Sequence, residues 1–229
     1  MHAGPAPESC AVLFDIDGTL VDSTYHQALA WQRAFHDLGL PVPLYRIHRS
    51  VGMGGDKLVG HVAGEEIERR NGDRLRDGWR DHYQGLRSEV LPLAGAADLV
   101  HRVARAGHRV ALASSGEPEF ASEAVELLGI ADDVSVLTTS KDVEGSKPDP
   151  DLVGETLARL DGVTHAVFVG DTPYDVTASG RAGLRCVGLR SGGYSEAELT
   201  RAGAVLVVDL PEDLLDLDWV EHGAPIGRS

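Results

Sequence analysis

Ala11-Val12-Leu13-Phe14-Asp15-Ile16-Asp17-Gly18-Thr19-Leu20 is the stretch from which the fold of this chain can be read. Four apolar residues run without a polar break, which fits a strand buried on both faces and not the alternation of a half-exposed one. Two carboxylates follow at i and i+2, and Gly18 then ends the strand. At the carboxyl end of a central strand, Asp15 and Asp17 would both meet a bound ligand. Asp and Gly are also ordinary turn formers, so the same letters describe a loop that caps a helix.

Working outward, runs of the same kind recur at His108–Ser114, Val134–Thr138, His165–Gly170, Arg185–Leu189 and Ala204–Val208. Helical patterns lie between them at 95–106, 118–128, 150–160, 173–182 and 195–202. Strand–helix alternation with continuously apolar strands predicts an α/β fold, a Rossmann-like parallel sheet with helices on both faces. Residues 22–90 break the rhythm and read as helices at 24–38, 56–71 and 73–87. Glu65–Glu89 carries six arginines and seven acids, which suits a solvated helix laced with ion pairs. Trp31 and Phe35, at i and i+4, read as the core of this helical module. The expected organisation is a core of 10–21 and 91–215, an inserted helical domain of 22–90, and flexible ends at 1–9 and 222–229.

The chain has 229 residues, 42% hydrophobic and 25% charged, a globular composition. Asp and Glu outnumber Lys and Arg by 36 to 21, for a formal charge of −15, which argues against a nucleic-acid partner. No apolar stretch approaches a membrane span, so no membrane association is expected. The opening MHAGPAPESC lacks a basic or apolar signal region. Cys10 and Cys186 sit in strand-like runs. One disulfide is possible on paper, but buried free thiols suit the run better, and with them a cytoplasmic location. The small aromatic fraction and high charge point to a monomer.

Three further strand ends carry chemistry. Gly170-Asp171-Thr172-Pro173-Tyr174-Asp175 places acids after an apolar run. Thr172, Pro173 and Asp175 also spell a capping box with proline at the first helical position, which accounts for Asp175 but not for Asp171. A charged group at that point needs a partner, and a metal ion is one. Ala113-Ser114-Ser115-Gly116 precedes a helix start at Pro118, where hydroxyls and free N–H groups suit phosphate, or where a serine simply caps the helix. Ser146-Lys147-Pro148-Asp149-Pro150 sets a lysine in a stiffened loop, in a chain with three lysines against eighteen arginines.

Taken together, DIDGTL (15–20), ALASSG (111–116), GSKPDP (145–150) and VGDTPYD (169–175) resemble, in order, the four motifs of the haloacid dehalogenase superfamily. The likeness is to its helical-cap branch, which includes phosphoglycolate phosphatase and β-phosphoglucomutase. The resemblance implies that Asp15 is a nucleophile toward phosphorus, and that Asp17 is general acid and then base. It implies Mg²⁺ held by Asp15, the backbone carbonyl of Asp17 and Asp171, with Asp175 acting through water. It further implies phosphate binding by Ser114, Ser115 and Lys147, with Lys147 also offsetting the repulsion between anions. The partner implied is a small phosphorylated metabolite. An acid at position 17 favours phosphoryl transfer over dehalogenation. Gly170 stands where β-phosphoglucomutase carries Glu, which places a phosphosugar mutase second, ahead of an idle regulatory protein on the same fold. Residues 22–90 would be the cap. Its loop Arg49–Lys57 looks like a specificity loop, from which Arg49 or Lys57 would reach an anionic group, and His26 would reach substrate from the first cap helix. The same loop also reads as an ordinary helix–helix connection.

Overall fold

The computed structural model describes residues 10–226. The run Cys10–Phe14 forms strand β1, and all five of its residues are buried. The remaining strands are β2 (Arg109–Ala113), β3 (Val134–Thr138), β4 (His165–Gly170), β5 (Arg185–Leu189), β6 (Leu206–Val208) and β7 (Ala224–Pro225). The sheet order is β3-β2-β1-β4-β5-β6, with all of these neighbours parallel and β7 antiparallel to the start of β4. The chain therefore builds away from β1 on one side and resumes at β4 on the other. That reversal opens a crevice at the carboxyl ends of β1, β2 and β4, where ligands bind in sheets of this kind.

Between β1 and the rest of the sheet lie α1 (Thr24–Asp37), α2 (Leu44–His48), α3 (Gly55–Ala63) and α4 (Glu65–Leu86). The helices that follow are α5 (Ala96–Arg105), α6 (Pro118–Leu128), α7 (Asp151–Ala158), α8 (Pro173–Arg181), α9 (Glu196–Ala202) and α10 (Trp219–His222). Successive residues of β1 face opposite sides of the sheet. Val12 and Phe14 pack with Leu99, Leu112 and Trp219 on one face, and Ala11 and Leu13 pack with Leu152, Phe168 and Leu199 on the other. Each such fully buried large side chain contributes roughly 1.5–3 kcal/mol, which is why the apolar strands choose the middle of the molecule.

The four inserted helices share a third cluster that includes Trp31, Phe35, Leu58, Leu75, Trp79 and Tyr83. Trp31 stacks on Trp79 with centroids 5.5 Å apart, and Trp79 on Tyr83 at 5.4 Å. Phe120 of α6 presents its ring edge-on to Trp79 and Tyr83, at 5.7 and 5.0 Å, and so ties this column to the sheet half of the molecule.

Two expectations differ from the structure. The break between the second and third inserted helices falls at Gly64, with φ at 92°, and not near Gly72, which sits inside α4. A mid-helix glycine costs about 1 kcal/mol, and the buried face of Leu75, Trp79 and Tyr83 outweighs it. Pairs such as Glu66–Arg70 and Asp77–Arg80 also support this helix. The tail expected to be flexible from His222 instead adds Ala224–Pro225 to the sheet, and Ile226 N–H donates to the Thr164 carbonyl at 2.9 Å. The reason is an open edge. β5 first pairs with β4 at Val167, which leaves His165 and Ala166 free to take β7. The expected flexible residues 1–9 and 227–229 lie outside the described part. Cys10 and Cys186 are both free and buried. No helix among the described residues is long and apolar enough to cross a membrane.

Candidate active site

Asp15 follows directly on β1, and its N–H continues the ladder to the Val169 carbonyl at 2.9 Å. The sheet thus fixes the backbone of Asp15 before its side chain makes any contact. The Lys147 ammonium, carried by the loop between β3 and α7, lies 2.5 Å from Asp15 Oδ1 and 2.7 Å from Asp175 Oδ1. Asp175 is held by the capping box of α8, its Oδ2 accepting from the Thr172 N–H at 3.0 Å and the Thr172 hydroxyl at 2.7 Å. The capping box is thus made by Oδ2 of Asp175, while its Oδ1 faces the Lys147 ammonium beside Asp15.

Asp171 is buried beside them. Thr19 Oγ1 donates to its Oδ1 at 3.2 Å, while its Oδ2 has no hydrogen-bond partner. Gly18, at φ 77°, and Gly192 press against that oxygen. A Cβ on Gly18 would come within 2.3 Å of it, and a Cβ on Gly192 within 1.8 Å. Asp17 points elsewhere, its Oδ1 accepting from the Ser23 hydroxyl at 2.5 Å.

Three buried carboxylates share one ammonium. Burial pushes Asp15 up to about 7, with Lys147 opposing and the charges on Asp175 and Asp17 adding to the rise. Burial, then the charges of Asp175 and Asp15, hold Asp171 well above the usual carboxylate range. Burial also raises Asp17, against the hydrogen bond from Ser23. For Lys147 burial works against the charged form, but Asp15 and Asp175 outweigh it and keep the lysine protonated.

This arrangement fits a hard cation. One carboxylate oxygen each from Asp15, Asp171 and Asp175 lies within 4.8 Å of the others, and Asp171 Oδ2 has no hydrogen-bond partner in the protein. All-carboxylate donors suit Mg²⁺ or a similar ion. The Asp17 carboxylate stands outside the group, so its expected share in a metal site would fall to its backbone carbonyl.

Above Asp15 and Asp17 lies a cavity of about 250 Å³, walled by the loop after β2, the loop after β3 and the inserted helices. Of the two predicted serines, Ser115 lines it and its hydroxyl has no partner. Ser114 does not reach the cavity. It is buried, and its Oγ accepts from the Gly116 N–H at 3.0 Å, shaping the turn.

The three predicted cap contacts are not brought to the cavity. His26 turns its Nδ1 toward the Asp22 carbonyl at 3.1 Å, just before the start of its own helix. Arg49 pairs with Glu198, and its carbonyl accepts from the hydroxyls of Tyr174 and Tyr194 at 2.7 and 2.9 Å. Lys57 reaches Asp149 at 2.5 Å and the Ser146 carbonyl. These cations are used in docking the inserted helices on the sheet half. The loop they flank does border the cavity, through Met53, Gly55 and Asp56.

Several wall residues carried no readable signal, among them Gln27, Arg76, Trp79, Glu117 and Glu144. Trp31 was legible only as core. Thr19 stood in the opening motif and could have been found there, beside Gly18. Glu117 is held by Arg80 of α4, whose Nε lies 2.9 Å from Oε2 and whose Nη2 lies 2.5 Å from Oε1.

The profile of the family described as Haloacid dehalogenase-like hydrolase matches residues 12–189. The chain is 34% identical to phosphoglycolate phosphatase of Yersinia pseudotuberculosis, over 82% of this chain and 84% of that one. It is 30% identical to N-acetylmuramic acid 6-phosphate phosphatase of Pseudomonas aeruginosa, over 90% and 93%. The crystal structure of a hydrolase from Pseudomonas syringae superposes with a TM-score of 0.85 at 32% identity, covering 91% of this chain and 97% of the other.

Proposed function

This chain belongs to the haloacid dehalogenase-like hydrolases and is a phosphohydrolase, and from that premise we propose a Mg²⁺-dependent phosphatase that hydrolyses small phosphomonoesters through an aspartyl-phosphate on Asp15. The observation that carries the reading is the placement of Asp15 on the cavity floor, anchored from behind by Lys147.

Asp15, Asp171 and Asp175, with the backbone carbonyl of Asp17, would hold the ion, which fits the donor set and the unpartnered oxygen of Asp171. When bound, it supplies positive charge that offsets the repulsion between a carboxylate nucleophile and a phosphate. An oxygen of Asp15 forms a bond to phosphorus as the bond from phosphorus to the ester oxygen breaks. Asp17, made a weaker acid by burial, gives a proton to the departing alkoxide. Water then attacks phosphorus and leaves a proton on Asp17. The acyl-phosphate P–O bond breaks, which restores the Asp15 carboxylate and frees phosphate. Lys147 stays protonated throughout and keeps the Asp15 carboxylate oriented. Ser115 and the N–H groups around Gly116 would receive the phosphoryl oxygens. Residues 22–90 act as a cap over a core of 10–21 and 91–215 and exclude water during turnover.

A mutase is the second reading, and position 170 counts against it. A Cβ there would lie 2.5 Å from Cβ of Asp175, so this backbone has no room for the Glu of the mutase pattern. Buried free thiols support a reducing compartment, the cytoplasm.

The test is phosphate release from a panel of phosphomonoesters with Mg²⁺ and with EDTA, repeated for Asp15→Asn. Metal-dependent release by the native protein and none by a folded Asp15→Asn is expected. Turnover retained by that variant overturns the nucleophile assignment. Isomerisation of a hexose 1-phosphate without net release would establish the mutase instead.

A further inference from the structure

We propose that the site selects phosphomonoesters whose leaving group is neutral and polyhydroxylated, a sugar or polyol, and rejects those bearing a second anionic group. This rests on the phosphatase reading above and names the substrate class of the same site.

The first observation is the charge inventory of the cavity. Arg76 is the one Lys or Arg among the described residues lining it. Three of its five N–H donors are already engaged: Nη1 lies 3.0 Å from the Gly55 carbonyl and 2.9 Å from Glu68, and Nη2 lies 2.9 Å from Asp73. Two carboxylates thus neutralise one guanidinium. Arg49 and Lys57, which would have suited an anionic tail, are paired with Glu198 and Asp149. In contrast, Asp56 and Glu144 line the cavity and have no ion-pair or hydrogen-bond partner among the described residues. A carboxylate or second phosphate on the leaving group would meet two unpaired acids at the exposed margin of the cavity and no unpaired cation, and like charges repel there to the extent that solvent does not screen them. Hydroxyls have the opposite fit, because each O–H is a donor that a carboxylate accepts.

The second observation is independent of charge. Trp79 is 8% exposed, lines the cavity, and its indole N–H has no partner. Buried donors are rarely left unpaired, and an indole N–H can only donate. That N–H is sealed from solvent, so a hydroxyl or ring oxygen of the leaving group supplies the missing acceptor only with a small shift of the ring. The stacked Trp31 and Trp79 rings offer an apolar surface beside it, and Gln27 adds an amide that both donates and accepts. Apolar wall plus a few placed polar groups is the makeup of a site for an uncharged, hydroxyl-rich molecule.

The experiment compares kcat/KM, with Mg²⁺ present, for hexose 6-phosphates and polyol phosphates against phosphoglycolate, 3-phosphoglycerate and a hexose bisphosphate, with an aryl phosphate as reference. The neutral esters should exceed the anionic ones by roughly tenfold or more, and the double variant D56N/E144Q should narrow that ratio. Trp79→Phe should lower kcat/KM for the hexose phosphate several-fold more than for the aryl phosphate. Titration of the folded Asp15→Asn protein by calorimetry gives the same ranking as binding, free of turnover. Equal or better use of the carboxylated esters overturns the proposal while leaving the phosphatase reading intact. An unchanged ratio in the double variant overturns the assigned cause. No release from any ester, the aryl phosphate included, overturns the underlying phosphatase reading.

Discussion

The ammonium of Lys147 lies 2.5 Å from one oxygen of Asp15, and both side chains are nearly sealed from solvent. Because Asp175 and Asp171 crowd the same space, this one cation balances a surplus of negative charge. Removing it leaves buried carboxylates with no counter-charge in the protein. Lys147→Ala should lower kcat by about 10²–10³ and destabilise the fold by about 3–5 kcal/mol, read by phosphate release and by denaturant titration. Full activity in that variant would contradict the role given to the ammonium.

The two adjacent serines should separate cleanly. Ser115→Ala removes a buried hydroxyl that has no protein partner, on a residue lining the cavity, so kcat/KM should fall about tenfold with little change in stability. Ser114→Ala removes the acceptor for the Gly116 N–H, so stability should fall by about 1 kcal/mol, with any loss of activity following from the distorted turn. Steady-state kinetics and thermal melts on both variants decide this, and the reverse pattern would move phosphate binding to Ser114.

Stability in EDTA should depend on pH with a defined sign. Asp15 is raised by burial to about 7 in the folded protein, so between its unfolded value and that point the folded state binds more protons. Stability therefore falls as pH rises from about 4 to about 7, and Asp15→Asn should flatten the slope. Added Mg²⁺ should reverse the loss, because it takes the place of the protons. At a hundredfold excess over its Kd the gain is about 2.7 kcal/mol, or roughly 5–10 °C in Tm, larger at the alkaline end. Asp171→Asn should lose most of that shift. Thermal melts across pH with Mg²⁺ or EDTA provide the check.

Arg80 reaches from α4 to fork the Glu117 carboxylate at the cavity wall. The Arg80 side chain is 39% exposed, so the pair adds under about 1 kcal/mol to stability. Its value lies in neutralising an acid that faces incoming phosphate. Arg80→Ala should raise KM several-fold with kcat nearly kept, and Glu117→Gln in the same chain should restore it. A change confined to kcat would contradict this account.

Much of the fold was legible because its signals are local. The apolar run before Asp15, the capping box at Thr172 and the pair Trp31 and Phe35 each involve residues within four positions, and each reads as expected in the structure. The acids at the strand ends were legible too, since a parallel sheet brings its carboxyl ends to one place whatever the loops do. What misled was charge without context. Arg49 and Lys57 looked free for a ligand because Glu198 and Asp149 stand far away in sequence. Gly72 looked like a helix end because its neighbours in three dimensions cannot be read from the letters around it.

By itself, then, the amino-acid sequence determined the sheet, the inserted helices and the identity of the acid and lysine cluster, because hydrophobic periodicity, capping and strand-end position act along the chain. Only the tertiary structure decided which serine faces the cavity, which cations are consumed in docking, and that Gln27, Trp79, Glu117 and Glu144 share one wall. Trp79 and Glu117 come from segments that meet only when α4 packs against α6, and side-chain partnerships made across that contact leave no pattern along the chain.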